Sequence, residues 1–256
     1  MAEVGDYDDL IEQLKLEFRD DIQDRLGGVY ETLKAIALGR MKAADGLLEI
    51  RREAHSMRGS GASFGFPIVS LIAQRLETYL SGLKDLSEAQ IAHVHVFADR
   101  IAEMTDREAQ PDLAETQQII RALPSRYEFD ITDVEVRDVD IMLVTPNKVV
   151  AKRVTTEMAA CGFKVNTVSD PVEAIGIAVR NPPDMLIAAA VMDGLGGIDL
   201  IRGLRAISLT EHVPMALLTS QDAAALRGIP SGIALIRLNQ SFGDDIAAAV
   251  TRFNVG

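Results

Sequence analysis

Apolar residues in the first half of the chain recur at helical spacing. Six of them follow one another at steps of three or four residues and so share one helix face: Phe18, Ile22, Leu26, Val29, Leu33 and Ile36. Segments 47–63, 67–83 and 88–108 have the same helical character. Because the connections between these segments are short, we predict an all-α, antiparallel four-helix bundle.

The pattern changes in the second half of the chain. Short apolar runs alternate there with helical stretches, as is typical of strands buried on both faces of a parallel sheet. The runs lie at 141–145, 163–168, 185–191, 214–219 and 233–238. We therefore predict an α/β domain with a doubly wound, five-stranded parallel sheet.

The segment between the two patterns is charged and lacks a helical period. We place a linker at residues 123–138, between a helical domain at 1–122 and an α/β domain at 139–256. A chain of 256 residues is long enough to build two separate cores.

Charge and composition narrow the classes of partner. The net charge of −12 argues against binding to nucleic acid, which needs clustered Lys and Arg. The longest strongly apolar stretch, 185–192, is too short to cross a bilayer, and the acidic start of the chain has no signal-peptide character. The single cysteine, Cys161, fits a reducing compartment. We expect a cytoplasmic protein without a membrane or nucleic-acid partner.

One stretch of the helical half combines residues suited to phosphoryl transfer. Arg58 and Gly59 follow His55 by three and four residues, so all three share one helix face. A neutral imidazole offers a nucleophilic nitrogen near neutral pH, and an adjacent cation offsets the charge of a transferring phosphoryl group. Glycine leaves room for a partner's active site to approach.

This stretch resembles the signature of histidine phosphotransfer (HPt) domains, H-x-x-[KR]-G-x-x-x-x-x-G, and the resemblance covers about residues 8–120. It implies that His55 is the phosphoacceptor, that Arg58 supports the phosphate charge and that Gly59 gives steric access. The family usually has lysine at the basic position. Arginine keeps the charge but changes the hydrogen-bond geometry.

Simpler interpretations exist for the histidines. His55 could be a partly buried helix residue, with Gly59 at a helix-packing position. His93 and His95 are two residues apart on a predicted helix and would point in different directions, which argues against a joint metal site. We interpret these two as ordinary surface or boundary residues and predict no metal site in the chain.

The second half resembles the receiver domain of response regulators, in the runs at 140–147, 183–197 and 214–220. An active receiver has an acidic pair for Mg²⁺ after its first strand, an acceptor aspartate ending its third and a lysine after its fifth. The corresponding residues here are Thr145 and Pro146, Ala189 and Gln240, and only the hydroxyl position, Thr219, is kept.

The resemblance therefore implies a pseudo-receiver that can neither form an acyl phosphate nor hold Mg²⁺. Asp193, four residues beyond Ala189, is the one candidate for a substitute acceptor, but we expect it on a solvated loop.

Together, the two resemblances imply a phosphotransfer protein of a two-component phosphorelay. His55 would take the phosphoryl group from the aspartate of a partner receiver and pass it to another. The partners implied are receiver domains of hybrid histidine kinases and response regulators, with Mg²⁺ bound by the partner and no cofactor bound by this chain. We see no nucleotide-binding motif and expect a phosphoryl carrier rather than a kinase. The alternative is a non-catalytic adaptor that binds signalling proteins without carrying phosphate.

Overall fold

A computed structural model describes residues 3–124, 139–221 and 226–255 of the chain. The chain divides into two compact units, Met1–Pro124 and Ser125–Gly256. The predicted linker at 123–138 falls outside the described residues, apart from its first two positions. Within the described ranges, no helix is long and apolar enough to span a membrane.

The first unit is helical, as the sequence predicts. Its helices are α1 (Glu3–Ala37), α2 (Ala43–Gly61), α3 (Pro67–Leu80), α4 (Glu88–Asp106) and α5 (Leu113–Arg121). The four long helices pack in a closed ring, α1 on α2, α2 on α3, α3 on α4 and α4 on α1. Their apolar stripes form the core, and Phe97, Ile22, Leu33 and Ile50 are among its fully buried side chains.

Polar contacts at the helix ends fix the antiparallel arrangement. Arg51, midway along α2, donates to the carbonyl of Leu80 at the end of α3. Ser70, in the first turn of α3, donates to the carbonyl of Arg58 near the end of α2. These bonds satisfy carbonyls that have no partner within their own helix.

The short helix α5 was not predicted from the sequence. Asp112 caps its first turn by accepting from the backbone N–H of Glu115, and Ile119 and Ile120 are buried. It is only nine residues long, so its apolar repeat is too short to stand out in the sequence.

The second unit is the predicted five-stranded parallel sheet, with strand order β2-β1-β3-β4-β5. The strands are β1 (Asp140–Val144), β2 (Lys164–Val168), β3 (Met185–Ala189), β4 (Met215–Thr219) and β5 (Ala234–Arg237). The helices are α6 (Lys148–Ala160), α7 (Pro171–Arg180), α8 (Gly197–Arg205) and α9 (Phe242–Phe253). The strand order is that of flavodoxin-like doubly wound folds.

The connection between β4 and β5 departs from the strict alternation of strand and helix. Its described residues, 220–221 and 226–233, contain no helix. Arginine side chains from neighbouring helices hold this connection in place. Arg202 donates to the carbonyl of Gly228, and Arg252 donates to the carbonyl of Ile233. Arg205 donates in the same way to the carbonyl of Ser231.

Candidate functional site

The helix α2 turns His55 toward solvent. Its buried residues recur at three- and four-residue steps and face the bundle core: Leu47, Ile50, Ala54, Met57 and Gly61. His55 lies between two of these positions on the opposite side, and its side chain is 74% exposed. Arg58 is half-buried and Gly59 is exposed one turn further along. The three residues that the sequence singled out therefore share one accessible helix face.

A residue of the neighbouring helix, Glu77 on α3, completes this group. One of its carboxylate oxygens lies 2.9 Å from Nδ1 of His55. The other accepts a hydrogen bond of 2.5 Å from Nη1 of Arg58. The Glu77 side chain is only 21% exposed, so the carboxylate is held between the two helices and bridges the imidazole and the guanidinium.

Glu77 was not predicted from the sequence. It lies 22 residues beyond His55 and belongs to a different helix, so no spacing rule within one helix connects the two. The signal that could have found it is a polar residue on a mostly apolar helix. The flanking residues Leu76, Tyr79 and Leu80 are buried, whereas Glu77 is only partly covered.

The contact with Glu77 determines which ring nitrogen of His55 is available. An ionised carboxylate can only accept hydrogen bonds, so in the neutral imidazole the proton lies on Nδ1. Nε2 then carries the lone pair. Among the described residues, the hydrogen bond of this ring is made by Nδ1, and the exposed edge of the ring presents Nε2. The arrangement orients a nucleophilic nitrogen toward solvent.

Arg58 acts on the imidazole through the carboxylate in this structure. The resemblance implied that its charge supports a phosphate directly, whereas the guanidinium here donates to Glu77. This bond fixes the carboxylate that orients His55. The guanidinium stays partly exposed, at 34% of its side chain, next to the face that presents the ring.

The two glycines at the end of α2 differ in their surroundings. A Cβ atom placed on Gly59 would meet nothing within 4 Å. The same atom on Gly61 would lie 2.9 Å from the backbone nitrogen of Ser70 and 3.0 Å from the carbonyl oxygen of Phe66. Gly59 therefore leaves the surface beside His55 open, while Gly61 lets α2 and α3 approach closely.

The resemblance implies phosphorylation of His55, and we expect Glu77→Gln to slow that reaction about tenfold, as does removal of a group that orients a functional histidine. In the present geometry Nδ1 and Arg58 use different oxygens of Glu77. Glutamine keeps only one oxygen, so its NH₂ group, which only donates, would face one of these two partners. The rate of phosphate capture and the ring tautomer, read from ¹⁵N chemical shifts of His55, would test this.

Glu103→Gln is the matched control for this prediction. Glu103 is an exposed glutamate that pairs with Arg100 on α4. Both measurements should stay at wild-type values in this variant. An unchanged tautomer and rate in Glu77→Gln would show that the carboxylate does not position the ring.

The two histidines of α4, His93 and His95, make separate contacts. Nδ1 of His93 lies 2.9 Å from the hydroxyl of Tyr79. His95 stacks on the ring of Tyr30, whose hydroxyl donates to Asp99. Burial and the Asp99 carboxylate raise the pKa of Tyr30 above its usual range, so this phenol stays protonated. Each histidine has its own aromatic partner, and no cluster of three or more metal-binding side chains is found in the described parts of the chain.

The receiver-like positions meet at the carboxyl edge of the sheet. Thr145 follows β1 and is buried, Ala189 ends β3, and Thr219 ends β4. The register pairs Val144 with Ala188 and Ala189 with Leu218, so these strand ends lie side by side. The Thr219 hydroxyl accepts from the backbone N–H of Gln221.

The remaining receiver-like positions are on loops. Pro146 is exposed before α6, and Gln240 is exposed after β5. Asp193 is exposed on the loop that follows β3, as expected for a solvated carboxylate. The carboxyl edge thus has a threonine, a proline, an alanine and a glutamine where the resemblance assigned three acidic residues and a lysine, and it keeps the hydroxyl position at Thr219.

Comparison with known proteins finds a family model that matches the first unit and response regulators that are similar to about a third of the chain. Residues 13–122 match the family model of the Hpt domain. The response regulator PleD of Caulobacter vibrioides is 27% identical over 94 residues, or 36% of this chain and 21% of PleD. The response regulator MprA of Mycobacterium leprae is 29% identical over 94 residues, or 36% of this chain and 40% of MprA. The matches thus span between about a fifth and two fifths of these relatives.

Solved structures of similar fold include the receiver domain of the sensor histidine kinase PA1611 from Pseudomonas aeruginosa PAO1. It is 20% identical, with a TM-score of 0.40, and the match covers 45% of this chain and 98% of that domain. A putative response regulator from Chloroflexus aurantiacus is 22% identical, with a TM-score of 0.42 and the same two coverages. The strand order described above is the one that flavodoxin-like folds share, receivers among them. The chain therefore carries an Hpt domain, over residues 13–122, joined to a domain of receiver-like fold, a combination that indicates two-component phosphorelay signalling.

Proposed function

We propose that the chain is a phosphoryl carrier whose phosphoacceptor is His55. Nε2 attacks the phosphorus of an aspartyl phosphate on a partner receiver. The N–P bond forms, the bond between phosphorus and the aspartate oxygen breaks, and the carboxylate leaves with the electron pair. The reverse reaction with a second receiver returns the group to an aspartate.

The observation that carries this proposal is the exposed imidazole held at Nδ1 by Glu77. When Nε2 becomes phosphorylated while Nδ1 keeps its proton, the ring gains a positive charge. The carboxylate of Glu77 lies 2.9 Å from Nδ1 and compensates this charge. The same contact that exposes the nucleophile therefore also stabilises the product.

The other components of the reaction come from the partner. The Mg²⁺ that neutralises an aspartyl phosphate is expected on the partner receiver, and this chain is proposed to bind no cofactor of its own. The partners would be receiver domains of hybrid histidine kinases and of response regulators. The net charge of −12 disfavours a nucleic-acid partner, and we expect the chain to act in the cytoplasm.

The receiver-like domain is proposed to be an interaction or regulatory module without phosphoacceptor chemistry. A methyl group at Ala189 cannot form an acyl phosphate, and the neutral residues Thr145 and Pro146 offer no carboxylate to Mg²⁺. Donor and acceptor would then both act in trans.

The competing function is a non-catalytic adaptor, in which both domains bind signalling proteins and His55 carries nothing. The altered carboxyl edge of the receiver-like domain is the observation in its favour. Against it stands the complete set of His55, Glu77 and Arg58 on an accessible surface. An adaptor would not need the contact that orients Nδ1.

The test is direct transfer from phosphorylated receivers. Purified receiver domains of the hybrid kinases from the same organism would be labelled with radioactive phosphate and mixed with the full chain. Acid-labile label on the peptide that contains His55 would support the carrier. Absence of transfer from every receiver in the set would overturn it and favour the adaptor. Acetyl phosphate with Mg²⁺ should put no label on the peptide that contains Ala189.

We expect Gly59→Leu to slow this transfer about tenfold while leaving the fold intact. A Cβ atom at this position meets nothing within 4 Å, so the added side chain begins in open space at the surface. It would instead stand beside the imidazole and hinder close approach of a partner's active site, which in-line attack requires. The measurement is the transfer rate at fixed receiver concentration.

Ala62→Leu is the matched control for Gly59→Leu. It places a leucine side chain at another exposed position of this region, one turn further from His55. Its effect should be the smaller of the two. Equal rates in wild type and Gly59→Leu would contradict a role for Gly59 in steric access.

A further inference from the structure

The three arginines of α2 lie three or four residues from His55, and two of them are fixed by contacts with the region of α3. Arg51 donates to two backbone carbonyls, at the end of α3 and just after it. Arg58 donates to Glu77. The remaining one, Arg52, is exposed. In the part of the chain that the structure describes, no residue forms a hydrogen bond or an ion pair with its guanidinium.

The acidic residues of α2 nearest to Arg52 are turned away from it, toward α1. Glu53 pairs with Arg25 of α1 at 3.0 Å. The carboxylate of Glu49 accepts from the hydroxyl of Thr32, also on α1, at 3.2 Å. A guanidinium keeps its charge throughout the pH range in which proteins are folded. Arg52 therefore presents a positive charge between the residues of α2 that contact α3 and those that contact α1.

The geometry of α2 places Arg52 on the side of the imidazole that presents Nε2. Arg58 follows His55 by three residues and Arg52 precedes it by three, so the two lie about 60° to either side of it in projection down the helix axis. Glu77 holds Nδ1 on the side of Arg58. Nε2 lies across the ring from Nδ1 and so faces the side of Arg52. Because helical side chains lean toward the N-terminus, the ring also lies over the turn that contains Arg52.

We propose that Arg52 contacts the phosphoryl group on Nε2 of His55. This inference rests on the proposed function, in which Nε2 becomes phosphorylated. The oxygens of the transferred group carry negative charge, and the planar guanidinium can donate parallel N–H bonds to them. The resemblance assigned this role to Arg58, which donates to Glu77 in the structure. Arg58 thus fixes the carboxylate that orients the ring, and Arg52 binds the group that the ring carries.

The pKa of the phosphoryl group tests this contact without a partner protein. Phosphoramidate transfers its phosphoryl group to imidazole and releases ammonia, so it can label His55 in the full chain. The ³¹P signal that is missing from labelled His55→Gln identifies the group. A nearby cation favours the doubly charged form, so the pKa of this phosphoryl group should be higher in Arg52→Gln than in wild type. Arg52→Lys should keep the wild-type direction, because it retains the charge.

Arg40→Gln is the matched control for the titration. Arg40 is an exposed arginine before the start of α2, and the helix rises about 18 Å from its first residue to His55. This separation exceeds the Debye length of about 8 Å at physiological ionic strength. The substitution removes the same charge, yet the pKa of the phosphoryl group should stay at its wild-type value. An unchanged pKa in Arg52→Gln would overturn the proposal, and so would an equal rise in Arg40→Gln.

Transfer from phosphorylated receivers distinguishes this proposal from the proposed function. Arg52→Gln should slow transfer about fivefold, as expected for loss of one charge contact at an exposed site, and its circular dichroism should match that of wild type. Slower transfer with an unchanged phosphoryl pKa would mean that Arg52 contacts the partner protein instead, which would overturn the proposal. If no receiver phosphorylates wild type, the carrier function fails, whereas the ³¹P titration still decides whether Arg52 contacts a phosphoryl group on His55.

Discussion

Replacing His55 with glutamine is expected to abolish acid-labile phosphorylation of the chain by phosphorylated receivers. The amide NH₂ of glutamine can still donate a hydrogen bond to the Glu77 carboxylate, but the amide nitrogen has no nucleophilic lone pair for the phosphoryl group. Because the His55 side chain is 74% exposed, the fold should be unaffected. The expected change in the free energy of unfolding is within about 0.5 kcal/mol.

Two measurements distinguish loss of the phosphoacceptor from loss of the fold in His55→Gln. Labelled phosphate retained after electrophoresis reports the transfer, and thermal unfolding reports the fold. His212→Gln is the matched control, since this histidine is 92% exposed in the second unit and should keep full labelling. Label that persists in His55→Gln would mean that another residue accepts the phosphoryl group. Loss of label together with early unfolding would contradict the surface role of His55.

Periodic apolar patterns predicted the main elements of both units because burial sets those patterns directly. The stripe from Phe18 to Ile36 lies on α1, and four of the five apolar runs in the second half contain a whole strand, the exception being the run of β1, which begins one residue late. The strands β1, β3 and β4 are buried along their whole length. The short helix α5 and the connection between β4 and β5 escaped prediction. Their conformations depend on a cap at Asp112 and on arginine contacts from other elements.

Only those residues of the candidate site that lie on one helix could be predicted from the sequence. Spacing along α2 placed His55, Arg58 and Gly59 on one face, and the structure agrees. Glu77 depends on how α3 packs against α2, and that packing is set partly by the close approach at Gly61. Tertiary contacts of this kind leave no periodic signal in the sequence. The roles of these residues in phosphoryl transfer stay predictions until the variants are measured.

The close approach at Gly61 leads to the largest expected effect on stability. Gly61→Ala places a Cβ atom 2.9 Å from the nitrogen of Ser70 and 3.0 Å from the carbonyl oxygen of Phe66. Both are backbone atoms, so α2 and α3 must separate to relieve the contact. Overpacking of this kind costs about 1–3 kcal/mol, which should exceed the gain of about 0.5–1 kcal/mol from replacing a helical glycine by alanine.

Gly59→Ala, two residues earlier on the same helix, is the control. It separates the cost of overpacking at Gly61 from the gain in helix propensity that both substitutions share. Its Cβ meets nothing within 4 Å, so only the gain from helix propensity remains and the bundle should become slightly more stable. Tyrosine fluorescence during urea unfolding can follow the bundle, because Tyr7, Tyr30 and Tyr79 lie in the first unit. The fourth tyrosine, Tyr127, follows that unit closely in sequence, and residues 139–256 contain none. Gly61→Ala should lower the urea midpoint and Gly59→Ala should raise it. Equal midpoints for the two variants would show that α2 and α3 are not in the close contact that holds Glu77 against His55.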